Sequence, residues 1–204
     1  MLYPATVAPD TLELLRQLMQ LPALDSFALA GGTNLALRYG HRLSIDLDLF
    51  TDQSFSTSDV IDELVRLFPE TIVTDESKNS VSLFIRGVKV DLLAHRYPLL
   101  QPFENMEQIR FWSVDDVIAM KLSAVSGRGA KKDFWDIAEL LNQYTLPQML
   151  HFFTRKYPNS DPGYVIRSLT YFDDAEQQVD PVEVNTITWP EVKQRITQAV
   201  RRLL

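Results

Sequence analysis

The sequence contains no cysteine, which excludes disulfides, thiolate metal sites and cysteine nucleophiles and suits a reducing compartment. It also lacks any run near the roughly 18 consecutive apolar residues of a membrane-spanning helix. The opening stretch, MLYPATVAPDTLELL, has no basic segment followed by an apolar run and a small-residue cleavage site, so a cytoplasmic protein is expected. An excess of positive charge is missing too. The formal net charge is -7 and the pI is near 5.0, which argues against a protein that coats nucleic acid over a broad basic surface. A local basic patch stays open, because Arg110, Lys121, Arg128, Lys131 and Lys132 fall in one short stretch; solvated helix faces are the alternative.

What is present is an ordinary globular composition, 46% hydrophobic and 23% charged over 204 residues. That length fits one domain of about 100 to 150 residues with an appendage. Residues 10–20 place Leu12, Leu14, Leu15, Leu18 and Met19 at helical spacing, with Asp10 or Thr11 as the cap. Phe27 to Ala30 reads as a short strand, Gly31-Gly32 as a tight turn, and TNLALRYG as a helix stopped by Gly40. Residues 45–50, IDLDLF, alternate strictly and predict a strand with Asp46 and Asp48 on one face. Residues 58–68 predict an amphipathic helix capped by Ser58, and 71–74 the next strand. Residues 80–86 and 88–94 flank Gly87 and predict adjacent antiparallel strands, the second interrupted by Asp91. Ser113 with Asp116 opens a helix that ends near Gly127 and Gly129, and another runs from about Lys131 to Asn142. Beyond it stand LPQMLHFFTRKY, a helix start at Asp161-Pro162, an acidic loop FDDAEQQVDPVEVN and a last helix after Thr188, which together suggest a helical subdomain on the sheet.

Two carboxylates at i and i+2 on a strand point the same way, roughly 6 to 7 Å apart. Crowded like charges are unfavourable unless a cation lies between them, and Mg²⁺ takes hard oxygen ligands while keeping positions for water and phosphate. The solvated strand face is the bland alternative for such a pair. Upstream, Gly31-Gly32-Thr33 joins a strand to a helix, where glycine permits close backbone approach and the first helical N–H groups attract an anion. A metal-binding strand beside a phosphate-binding turn is the equipment of an enzyme acting on nucleoside triphosphates. Asp91 breaks an apolar run, and Lys121 sits mid-helix between Met120 and Leu122, an unfavourable place for a charge unless it snorkels or meets an anion. Asp133 and Asp136, one turn apart, share a helix face, and Asp136 precedes the apolar Ile137 and Leu140.

The pattern G-G-T-x12-D-x-D, written GGTNLALRYGHRLSIDLDLF, resembles the signature of the AbiEii-type nucleotidyltransferases, within the DNA polymerase β-like nucleotidyltransferase superfamily. The similarity extends through KVDLLA, VDDVIAMKLSAVSGRGAKKDFWDIAELL and YFDDAEQQVDP. It implies an α+β fold, a mixed sheet flanked by helices, with residues 1–112 as the nucleotidyltransferase core and 113–204 as a helical region completing the site. It also implies an NTP substrate, two Mg²⁺ ions, and membership of a group known for type IV toxin–antitoxin systems and phage defence. Position by position, Gly31, Gly32 and Thr33 would hold the triphosphate, and Asp46 and Asp48 would bind metal with Asp91 as the third carboxylate. Lys121 would be a phosphate ligand, and either Asp133 or Asp136, with Asp136 favoured, would be the late functional aspartate. Arg42 and Ser44 lie in the loop G-H-R-x-S-x-D-L-D, where Arg42 would neutralise phosphate or pair with a local acid. The expected reaction moves a nucleoside monophosphate to an acceptor hydroxyl, first of all an RNA such as a tRNA 3′ end, with a cognate antitoxin as partner. The alternatives are a transferase that modifies protein, and an idle partner that binds nucleotide or antitoxin.

Overall fold

Side chains in Leu47–Thr51 alternate between buried and part-exposed, as the period-2 pattern requires, and this strand is the centre of the molecule. The computed structural model describes residues 1–182, 184 and 186–203. Its strands are β1 (Ala28–Leu29), β2 (Leu47–Thr51), β3 (Ile72–Ser77), β4 (Ser80–Ile85), β5 (Val88–Ala94), β6 (Glu104–Met106) and β7 (Ile109–Phe111). The helices are α1 (Pro9–Leu18), α2 (Gly31–Tyr39), α3 (Thr57–Leu67), α4 (Val114–Arg128), α5 (Lys131–Leu140), α6 (Leu146–Lys156), α7 (Pro162–Ser168), α8 (Asp173–Glu176) and α9 (Trp189–Arg201).

The strands form one sheet in the order β3-β4-β5-β2-β1-β7-β6. It is mixed: β2 runs parallel to β5 and β1 parallel to β7, while the other neighbours are antiparallel. The register pairs Asp48 with Asp91 across β2 and β5, and Ser82 with Asp91 across β4 and β5. One core lies beneath this sheet, where Leu47, Leu49, Val81, Leu83, Val90 and Leu92 meet α1 and α3. A second gathers α4 to α9 around Trp112, with Ala28, Ala30 and Leu35 from the other half of the chain. Ile72, Phe84 and Leu93 belong to neither core, so the outer face of β3, β4 and β5 is left open beside Asp91.

Several local expectations change. Helix α1 starts at Pro9 after Ala8, with its fixed φ suited to the first turn, so neither Asp10 nor Thr11 is the cap. Ser56, not Ser58, caps α3 by accepting from the Asp59 amide. Ile45 and Asp46 precede β2, and Ile45 is 73% exposed, so the alternation at 45–50 begins two residues late. The acidic loop includes the short helix α8; Glu183 and Asn185 within that stretch lie outside the described residues. Strands β6 and β7 carry no strong pattern of their own and arise from pairing at the sheet edge. Gly40 ends α2 and Gly129 ends α4, both in the left-handed region that glycine tolerates.

Asp116, at the start of α4, is fully buried. It accepts from the Leu100 and Gln101 amides and from Ser113 Oγ, and its charge is balanced by Lys156 Nζ at 2.6 Å, also fully buried, from the end of α6. Replacing Lys156 by methionine keeps most of the volume and leaves Asp116 as an uncompensated buried charge, a change that typically costs about 3 to 5 kcal/mol. Urea unfolding of Lys156→Met is expected to show that loss, with the midpoint reduced and the slope against denaturant unchanged.

Candidate active site

Helix α2 begins directly against the carboxylate of Asp48. The Ala30 amide donates to the Asp48 carbonyl at 2.8 Å, which fixes the turn to β2. Gly31 takes φ +63°, and a Cβ there would collide with the Asp48 carboxylate; one on Gly32 would collide with the Arg42 guanidinium. Close approach therefore requires both glycines, and backbone conformation requires Gly31 as well. Thr33 is buried, and its hydroxyl is shared between Ser44 Oγ at 2.8 Å and the Asp46 carbonyl. The hydroxyl of Thr33, a residue expected to hold phosphate, braces the loop that carries Asp46.

A polar cavity of about 90 Å³ opens at this point. Its walls include the carboxylates of Asp46, Asp48 and Asp91 and the cations Arg42, Lys89, Lys121, Arg128 and Lys132, with Gly32 and Ser44 completing it. Asp91 accepts from Ser82 Oγ at 2.6 Å and from Lys89 Nζ at 2.5 Å. Lys132 Nζ stands 3.6 Å from Asp46. Burial raises the Asp48 carboxyl above its ordinary range; Asp91 and Asp46 push it the same way, while Lys121 and Lys132 oppose them.

Behind the cavity lies a second layer. Asp136, fully buried, receives the Arg42 guanidinium on both oxygens, Nε at 2.7 Å and Nη2 at 2.9 Å. His41 Nε2 lies 2.7 Å from the same carboxylate, and so does Lys121 Nζ. Asp133, also fully buried, meets Lys121 at 2.9 Å and Arg128 at 2.8 and 3.0 Å. Burial alone would raise the Asp136 carboxyl, but Arg42, Lys121 and the hydrogen bonds from His41 and Arg42 carry it well below the ordinary range. Asp133 is lowered in the same way, with Lys121 and Arg128 overcoming burial. Lys121 stays charged, since the two aspartates outweigh its own burial. Asp136, expected among the catalytic residues, thus sits behind the wall, paired with Arg42 and Lys121, and Asp133 lies there too, paired with Lys121 and Arg128.

The structure brings together Gly32, Arg42, Ser44, Asp46, Asp48, Asp91 and Lys121 as cavity-lining groups, with Gly31 against Asp48. Sequence reasoning missed Lys89 altogether; its signal is the i, i−2 spacing from Asp91 on one strand. Arg128 and Lys132 belonged only to the expected basic patch, and that patch is not a continuous surface. Arg110 is tied to the carbonyls of Phe27, Met19 and Leu24, and Lys131 is buried.

The family described as "Nucleotidyl transferase AbiEii toxin, Type IV TA system" matches residues 13–201. An uncharacterised protein of Aquifex aeolicus (strain VF5) is 35% identical over 202 residues, covering 94% of this chain and 95% of its own. Among solved structures, JHP933 from Helicobacter pylori aligns with a TM-score of 0.60 at 17% identity, over 97% of this chain and 93% of that one. MenT4, a nucleotidyltransferase toxin from Mycobacterium tuberculosis H37Rv, aligns with a TM-score of 0.59 at 15% identity, over 92% and 82%. The two solved structures share the fold, and the family match spans nearly all the chain: the protein belongs to the AbiEii nucleotidyl transferase toxin family of type IV toxin–antitoxin systems and is a nucleotidyltransferase.

Proposed function

We propose that the protein transfers a nucleoside monophosphate from an NTP to an acceptor hydroxyl with the help of Mg²⁺, and that the acceptor is RNA, a tRNA 3′ end first of all. The observation that carries this reading is the register pairing of Asp48 with Asp91 beneath the glycine-opened start of α2, with Asp46 two residues upstream on the same cavity.

The donor set suits a hard divalent cation, since three carboxylates line one small cavity. Asp46, Asp48 and Asp91 would hold the ions. Among the described residues no three carboxylate or imidazole groups are yet gathered around one point, because Lys89 draws Asp91 and Lys132 draws Asp46. Holding the ions would therefore require Lys89 and Lys132 to release these carboxylates. Charge balance supports two ions: five cations line the cavity, offset by its three carboxylates and by Asp133 and Asp136 behind it. A triphosphate adds about four negative charges, which two divalent ions restore to balance. When bound, Mg²⁺ neutralises the triphosphate and acidifies a coordinated hydroxyl.

The chain's own groups do the rest. The first amides of α2 and the ammonium groups of Lys121 and Lys132 bind the phosphate oxygens, with Arg128 closing the rim. Asp91 accepts the proton of the acceptor hydroxyl, whose oxygen forms a bond to the α-phosphorus as the bond to the bridging oxygen breaks and pyrophosphate leaves toward α2. The acceptor approaches over the open face of β3, β4 and β5, the side from which Asp91 is reached. Residues 113–204 complete the site by supplying Lys121, Arg128 and Lys132, together with Asp133 and Asp136, which hold the first two. The partner is a cognate antitoxin, and the compartment is the cytoplasm.

Incorporation of labelled NTP into tRNA is expected to disappear in Asp48→Ala; incorporation that survives would remove the site from consideration. Titration calorimetry with the four NTPs should show Mg²⁺-dependent binding by the wild type and none by Asp46→Ala/Asp48→Ala. Asp91→Asn is expected to lower kcat by about 10²- to 10⁴-fold while NTP still binds, since the proton acceptor is lost and Asp46 and Asp48 remain to hold an ion for the triphosphate. Gly31→Ala, which pushes a methyl group into Asp48, should abolish both binding and turnover without unfolding the protein, as circular dichroism would verify.

A further inference from the structure

A cavity of about 90 Å³ lies well below the ~300–1,000 Å³ range of small-molecule sites, so it suits phosphate oxygens and ions and is far too small for a nucleoside. The remainder of a bound nucleotide must lie outside it. Next to it is a groove of about 360 Å³, within the ~300–1,000 Å³ range of small-molecule sites. The two share Arg42, Ser44, Asp46 and Lys132 as a common wall.

The character of the surface changes across that wall. Where the inner cavity is lined by charge, the groove adds Leu43, Ile45, Val179 and Val182, which are 38%, 73%, 92% and 65% exposed. Single exposed apolar side chains need no explanation, but four around one groove that continues a charged cavity form an apolar body with polar anchors at one end.

The outer wall of the groove is held in place from both sides. Lys131, 5% exposed at the start of α5, donates from Nζ to the Gln178 carbonyl at 2.7 Å and to Asp180 at 2.8 Å. Its amide donates to the Gln178 side chain at 2.9 Å. Four residues further on, the Val182 carbonyl accepts from the Leu43 amide at 2.8 Å, and the Val184 amide donates to the His41 carbonyl at 3.2 Å. The segment is thereby bridged, strand-like, to the loop that carries Arg42, Ser44 and Asp46.

We propose that this groove is the subsite for the nucleoside of the donor NTP. The triphosphate occupies the inner cavity, the base lies between Ile45 on one wall and Val179 and Val182 on the other, and the Asp180 carboxylate at the rim accepts N–H or O–H donors of base or ribose. Lys131 is a positioning residue that sets the outer wall. The assignment rests on the transferase reading above, and it makes residues 178–182 the determinants of which NTP is used.

Val182→Trp and, from the opposite wall, Ile45→Trp fill the groove without touching the inner cavity. In titrations with Mg²⁺, both are expected to weaken the preferred NTP by about 10-fold or more, a typical value for a pocket contact, while inorganic tripolyphosphate binds as it does to the wild type. Unchanged tripolyphosphate binding also shows that the variant is folded. NTP affinity untouched by either substitution would overturn the subsite alone. A wild type that binds no NTP would overturn the transferase reading and this subsite with it. A raised KM for the acceptor with unaltered NTP binding would give the groove to the acceptor and equally overturn the proposal.

Discussion

Three carboxylates crowd one wall of a small cavity, and much of the surrounding structure follows from keeping them there. Like charges repel by about 4 kcal/mol at 4 Å and an effective dielectric of 20, and by less as they separate, so a fold that gathers three of them needs compensation. Here the compensation is layered. Lys89 and Lys132 engage the two outer carboxylates, Lys121 opposes the rise in the central one, and helix α2 points its first amides at the same spot. The cations are thus part of the architecture before any substrate arrives. In the proposed reaction a triphosphate with its ions would take over partners that the cavity has already arranged.

The layer behind the cavity explains why those cations stay in place. Lys121 and Arg42 are both nearly inaccessible to solvent, and an isolated buried ammonium or guanidinium would be strongly unfavourable. Asp136 receives Arg42, His41 and Lys121, and Asp133 receives Lys121 and Arg128, so both aspartates and Lys121 have at least two partners of opposite sign and Arg42 meets both oxygens of Asp136. These links tie the loop before β2 to α4 and α5. Such a network adds less to net stability than to fixing one arrangement, because its members are satisfied only when all the elements dock together.

Much of this was legible in the sequence wherever the signal is periodic or steric. The β-rich run 88–94 beside Gly87 gave β5 and showed Asp91 as an interruption in it, although the face that Asp91 takes came only from the register, and Ser113 with Asp116 gave the start of α4. The two glycines were legible as a site of close approach, although the group that approaches, Asp48, could be named only from the fold. Lys121 was conspicuous as a charge in an apolar helix, yet its partners Asp133 and Asp136 are on the next helix, and nothing local says which acid it meets. Asp46 read as a strand residue because alternation continues through Ile45; the structure leaves both outside β2 since no neighbour strand pairs there. Strands β6 and β7 were invisible because three-residue strands carry too few side chains to show a period.

The arrangement also gives the C-terminal third a physical reason to remain attached to the sheet. Helices α4 and α5 supply Lys121, Arg128 and Lys132 to the cavity, but a two-helix pair cannot bury the apolar surface that Phe134, Trp135 and Ile137 present. Helices α6 to α9 cover it: Trp135 stacks on Trp189 with ring centres 5.3 Å apart, and Phe134 meets Phe172 at 5.2 Å. Between those helices the chain passes back over the active-site rim through Lys131 and the bridge to Leu43. Loosening the distal helices would free α5, and with it the aspartates that hold Arg42 and Lys121. Packing more than a helix away from the carboxylates is therefore coupled to their chemistry through one contiguous set of contacts.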